Sequence, residues 1–162
     1  MRSGNWRTII ALPVMLNVAV AEALDDFRRD GCSQFPDGTF SQADLWCDCC
    51  IAHDIAYWQG GNRNQKQHAD ENLRDCVFQK TGSRLLAETM YIGVRLGGSP
   101  VFPTWYRWGY GWHYGCGFQS LNQYELQQVK AKLQQYPLND SPSSCSIEHP
   151  LHKLLPRTFD SP

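Results

Sequence analysis

Apolar and small residues recur at Leu45, Cys49, Ala52 and Ala56, flanked by Trp46, Cys50 and Tyr57, a spacing that fits a helix with one buried face. Ser41 with Asp44 offers an N-cap and its partner, and Gly60-Gly61-Asn62 offers a stop, so a helix is expected over 42–58. A second helix is expected over 64–80, ended by Gly82, and a third over 83–96 from the spacing of Leu85, Leu86, Met90, Val94 and Leu96. These last two read equally as one bent helix. The short 60–63 link makes the first two antiparallel neighbours. Ser120 with Gln123 starts a last helix to 136, in which Leu121, Leu126, Val129 and Leu133 form the core-facing set.

Two stretches break this pattern. Residues 24–40 form a loop-rich lead-in punctuated by Gly31, Pro36 and Asp37-Gly38. Residues 101–118 crowd Phe102, Trp105, Tyr106, Trp108, Tyr110, Trp112, Tyr114 and Phe118 between glycines, which predicts an irregular or short hairpin segment. These aromatics read either as core and loop packing or as membrane-interface residues, since Trp and Tyr suit the headgroup level. The fold class is therefore mainly α, with two antiparallel helices at its centre.

The ends change the picture. Arg2 and Arg7, the apolar run from Thr8 to Ala21, and the small-x-small pattern Ala19-Val20-Ala21 have the layout of a secretory signal over 1–21. The run is shorter than a bilayer span requires, and Pro13 interrupts it. One domain over 24–136 is expected, followed by a Pro-, Ser- and Asp-rich flexible tail over 137–162. A formal net charge of −1 argues against a broad nucleic-acid-binding surface. All seven cysteines, Cys32, Cys47, Cys49, Cys50, Cys76, Cys116 and Cys145, follow the signal and read as a disulfide framework with one thiol left over. Cys47 and Cys145 are the candidates for that thiol. A zinc site on Cys47, Cys49, Cys50 and His53 is the weaker alternative.

Candidate chemistry sits on the first helix. His53 and Tyr57 are four apart and share a face, and Asp54 is turned about 100° from His53. An imidazole suits general-base work near neutrality, and a carboxylate suits a hard cation. The base needs an acceptor on its other nitrogen to fix tautomer and orientation. Asp70, on the facing helix, is placed to meet His53; Asp75 is the fallback. His68, His113, His149 and His152 read as surface residues.

The run Cys49-Cys50-Ile51-Ala52-His53-Asp54-Ile55-Ala56-Tyr57 resembles the Cys-Cys-x-x-His-Asp-x-x-Tyr helix of secreted phospholipases A2. Ala69-Asp70 followed by Leu73 resembles that family's second catalytic helix, and Gly31-Cys32 resembles the start of its calcium loop. The resemblance covers Gly31 to Cys76. It implies a secreted, calcium-dependent hydrolase that cleaves the sn-2 ester of glycerophospholipids at a membrane surface. His53 would be the base, Asp70 its orienting partner, and Tyr57 a donor to Asp70. Asp54 would bind Ca²⁺ together with the carbonyls of Gly31, Ser33 and Phe35. The resemblance also implies a Cys32–Cys50 bridge and, as the best guess, Cys49–Cys116. The sequence departs from the family in its loop, where Phe35 stands in place of the usual glycine, and in having no clear β-wing. The alternative is a catalytically silent phospholipase-like module that binds membranes or a protein partner.

Overall fold

The computed structural model describes residues 23–28, 31–32 and 34–136. The expected signal over 1–21 and tail over 137–162 lie outside them. Four helices follow in order: α1 (Cys47–Gln59), α2 (Arg63–Thr81), α3 (Arg84–Gly97) and α4 (Gln123–Gln135). No strand occurs among the described residues, so the 101–118 stretch is irregular rather than a hairpin. A mainly helical, disulfide-linked fold is what the pattern predicts. No described helix is long and apolar enough to cross a membrane.

α1 starts five residues later than its periodicity suggests. Thr39 and Gln42 exchange backbone hydrogen bonds at 2.8 and 3.2 Å, and the Trp46 N–H donates to the Asp37 carbonyl at 3.1 Å. These bonds engage the backbone that a helix beginning at Gln42 would use. Ser41 therefore does not cap; its hydroxyl lies 3.1 Å from that of Thr39. The other caps are explicit. Asn62 and Gln65 form a capping box at the start of α2, and Asn122 and Glu125 form one at α4. Gly82, with φ 66°, closes α2 in the left-handed conformation, and Ser83 caps α3, so α2 and α3 are two helices.

α1 is the central element, with ten of its 13 residues buried. Cys47, Ile51, Ile55 and Trp58 pack with Leu24, Phe27, Trp112 and with Val129 and Leu133 of α4. On another face Cys49 and Cys50 join Leu73 and Val77 of α2 and Ala87 and Met90 of α3. Two disulfides fasten this second face: Cys32–Cys50 ties the lead-in to α1, and Cys49–Cys76 ties α1 to α2. They close loops with sequence separations of 18 and 27 residues. By chain entropy each contributes on the order of 3 kcal/mol.

The glycine- and aromatic-rich segment has a structural task that its composition alone did not reveal. A helix leaves its last four carbonyls without intrahelical donors. Gly60 N–H covers Ala56 O at 3.1 Å, Gly109 N–H covers Tyr57 O at 2.7 Å, and Gly111 N–H covers Trp58 O at 3.0 Å. The Trp112 indole covers Gln59 O at 2.7 Å. Such close approach needs glycine: a Cβ on Gly60 would lie 2.9 Å from the Gly109 Cα, and one on Gly111 would lie 2.5 Å from the Trp58 ring. Trp108 and Trp112 are therefore buried packing residues, whereas Phe102, Trp105 and Tyr114 are exposed.

Candidate active site

His53 and Asp70 stand at the middle of their helices, where the antiparallel pairing of α1 and α2 brings them level. His53 Nε2 lies 3.1 Å from Asp70 Oδ1. A carboxylate accepts, so Nε2 carries the proton and Nδ1 carries the lone pair. The Tyr57 hydroxyl donates to the same Asp70 oxygen at 2.7 Å and lies 3.1 Å from the carbonyl of Val94. The structure thus brings together His53, Asp70 and Tyr57. Asp75 does not take part; it pairs with Arg74 on the surface at 2.8 Å.

Two further residues join this site, and the sequence pattern did not single them out. Lys66 donates to Asp70 Oδ2 at 2.8 Å, and Arg95 donates to the same oxygen at 3.1 Å. Lys66 lies four residues before Asp70 on α2, a spacing that marks it as a neighbour. Arg95 comes from α3, and no local spacing links it to Asp70. Asp70 is fully buried, with four donors shared between its two oxygens.

Burial and the neighbouring charges shift these groups away from their ordinary values. Burial alone would raise the Asp70 carboxyl, but hydrogen bonding and charge from His53 and Lys66 outweigh it and hold it below the usual carboxylate range. Burial lowers the His53 pKa beneath its ordinary value; Asp70 opposes this and the Lys66 charge adds to it. His53 is therefore neutral at neutral pH. Burial, then Asp70, pushes the Tyr57 phenol far upward, so it stays a donor.

These groups open onto a cavity of about 220 Å³. His53, Asp54 and Tyr57 meet an apolar wall made of Phe35, Leu73, Met90, Val94 and the backbone of Gly93, Gly97 and Gly98. Asp54 is half-buried there. Of the other expected cation ligands, Phe35 and its neighbour Gln34 line the same cavity. Gly31 has φ 78°, and Ser33 lies outside the described residues. Asp37 folds over this loop: its carboxylate accepts the Cys32 N–H at 2.7 Å. Asp54 brings one carboxylate to this cavity, and a carboxylate oxygen is the kind of ligand a hard cation takes. Asp48, Cys49 and Cys76 also cluster, but the two sulfurs are bonded to each other and Asp48 pairs with Lys80 at 2.8 Å.

The cysteines correct two expectations. Cys49 pairs with Cys76, not Cys116. Cys76 lies on α2 level with the first turn of α1, whereas Cys116 lines a cavity beside Gly60, at the far end of α1. Cys47, a candidate for the odd thiol, is disulfide-bonded. With Cys47, Cys49 and Cys50 all in disulfides, the zinc alternative falls. The expected Cys32–Cys50 bridge is present. Cys116 Sγ lies 3.3 Å from Nδ1 of His113.

Comparison of the chain with protein-family models, curated proteins and solved structures returns no match.

Proposed function

We propose that this chain is a secreted, calcium-dependent hydrolase of the phospholipase A2 type, acting on the sn-2 ester of glycerophospholipids at a membrane surface. The observation that carries this reading is a neutral imidazole on the wall of an apolar cavity, held at 3.1 Å by a buried carboxylate, with Asp54 on the next residue of the same helix. An apolar cavity suits an acyl chain, and the polar groups converge at one end of it.

In this reading His53 Nδ1 takes a proton from water as the water oxygen bonds to the ester carbonyl carbon. Asp70 stabilises the imidazolium that forms, and Tyr57 holds Asp70. The tetrahedral intermediate then collapses. The bond to the glycerol oxygen breaks, and His53 returns its proton to that oxygen, leaving a fatty acid and a lysophospholipid. A calcium ion held by Asp54 with backbone carbonyls of Gly31, Ser33 and Phe35 would supply charge for the lipid phosphate and the ester oxygen.

The test is hydrolysis of an sn-2-labelled fluorogenic phospholipid with and without chelator. No calcium-dependent turnover by folded protein at several lipid compositions sinks the reading. One observation favours a silent phospholipase-like module instead: the Asp37 carboxylate closes the loop on the Cys32 N–H. A melting temperature that does not move at millimolar calcium supports that second reading, because a ligand binding only the folded state must raise it.

A further inference from the structure

We infer that Lys66 and Arg95 are positioning residues that clamp Asp70 Oδ2 so that Oδ1 is presented to the His53 ring. For hydrolysis this rests on the function proposed above; the clamp itself does not.

The division of Asp70's oxygens is the starting point. Oδ1 accepts from α1 alone, from His53 at 3.1 Å and Tyr57 at 2.7 Å. Oδ2 accepts from two cations on two other helices, Lys66 at 2.8 Å and Arg95 at 3.1 Å. Charge compensation does not require both. One carboxylate is balanced by one cation, and Lys66, buried on Asp70's own helix, already supplies it. What the second cation adds is direction, because charge-assisted bonds are short and orienting. Lys66 reaches Asp70 from its own helix, one turn away. Arg95 reaches it from α3 and fixes the carboxylate against a different element.

That element is the cavity wall. Gly93, Val94 and Gly97 of α3 line the cavity, and the Val94 carbonyl lies 3.1 Å from the Tyr57 hydroxyl and 3.4 Å from Lys66 Nζ. The three helices therefore meet at one carboxylate and one carbonyl. Arg95 is 40 % exposed at its side chain, so it reaches a buried oxygen from the solvent side of α3. Without it, Asp70 keeps Lys66 but loses its only charged tie to the wall among the described residues. The acceptor that selects the ring's Nε2–H tautomer is then held by Lys66 and Tyr57 alone.

The deciding variant is Arg95→Met, which removes an exposed charge and leaves a side chain of similar length. The measurement is the exchange rate of the His53 Nε2 proton and the ring tautomer, read by ¹⁵N NMR with no lipid present. Exchange about tenfold faster, with a growing Nδ1–H population, is expected from loosening a group that orients an imidazole. Arg95→Lys should restore most of the wild-type behaviour. Lys66→Met should add to the loss. If Lys66→Met does not fold, Arg95→Met alone decides. In hydrolysis of a short-chain monomeric phosphatidylcholine, Arg95→Met should lower kcat about tenfold with little change in KM, as for a group that tunes geometry in the transition state. A folded Arg95→Met protein with wild-type His53 exchange overturns the clamp, even if its melting temperature falls. Faster exchange in a protein that hydrolyses no ester leaves the clamp standing and removes the hydrolase.

Discussion

Two regions around α1 bury polar groups, by opposite means. On the α2–α3 side, one carboxylate gathers an imidazole, a phenol, an ammonium and a guanidinium. At the C-terminal end, the acceptors are backbone carbonyls: the Trp58, Trp108 and Trp112 indoles donate to those of Asp25, Gly61 and Gln59 at 2.9, 2.7 and 2.7 Å, and the buried Arg107 guanidinium donates to those of Gly109 and Trp112, each at 2.6 Å. This second region closes the orphan carbonyls of a helix end, with glycine for close approach and Arg107 holding the capping loop by its own carbonyls. The carboxylate cluster buries the Lys66–Asp70 ion pair, whose desolvation a hydrophobic core would avoid. A cluster that costs stability to bury and lines a cavity is a candidate for chemistry. A network that spends its donors on backbone carbonyls is a candidate for folding.

The comparison can be broken most directly at the base. His53→Gln should lower phospholipid hydrolysis by about 10³-fold, the scale of a lost general base. Its melting temperature should stay near wild type. Retained activity would show that the carboxylate cluster is structural after all.

Asp70→Asn should cost about 3–5 kcal/mol in denaturant unfolding, because it leaves Lys66 buried opposite a neutral amide. Adding Lys66→Met should recover part of that loss. Wild-type stability in the single variant would mean that the cluster does not join α2 to α3. At the helix end, Trp112→Phe should cost about 1–3 kcal/mol, since Gln59 O is left without its donor. It should leave the His53 proton exchange rate unchanged, which separates the two regions in one protein. A changed exchange rate would join them.

The smallest effect is in pH. Burial lowers the folded His53 pKa below its unfolded value of 6.5. Between the folded value and 6.5 the unfolded chain binds more protons, so stability is lost as pH falls through that window. Asp70, held below 3.8, adds a second loss only in stronger acid. Because the base must be unprotonated, the acid limb of hydrolysis should lie below the ordinary histidine range. An acid limb above 6.5 would contradict the sign of the shift.

The sequence revealed α1, its partner helix and the meeting of His53 with Asp70, because helical period and a short link are local rules. It hid the start of α1, where turn bonds between Thr39 and Gln42 override a plausible cap. It hid the partner of Cys49 as well, because pairing depends on which end of a helix a distant segment wraps. Lys66 was within reach of an i, i+4 argument; Arg95 was not, because its link to Asp70 exists only once α3 folds back on α2. The aromatic stretch resisted reading because glycine and tryptophan serve a helix end here, a use that composition does not announce.

Cys49 and Cys50 are successive residues bonded in different directions, one to α2 and one to the lead-in. Exchanging their partners would require turning α1 by about 100° about its axis. That turn would carry His53 off the cavity wall. Oxidative maturation of this chain therefore has a built-in proofreading problem: a mispaired isomer keeps its bond count and its helices but loses the site. Only with α1 turned as it is do Cys49 and Cys50 face their own partners, so correct pairing reports correct placement of His53.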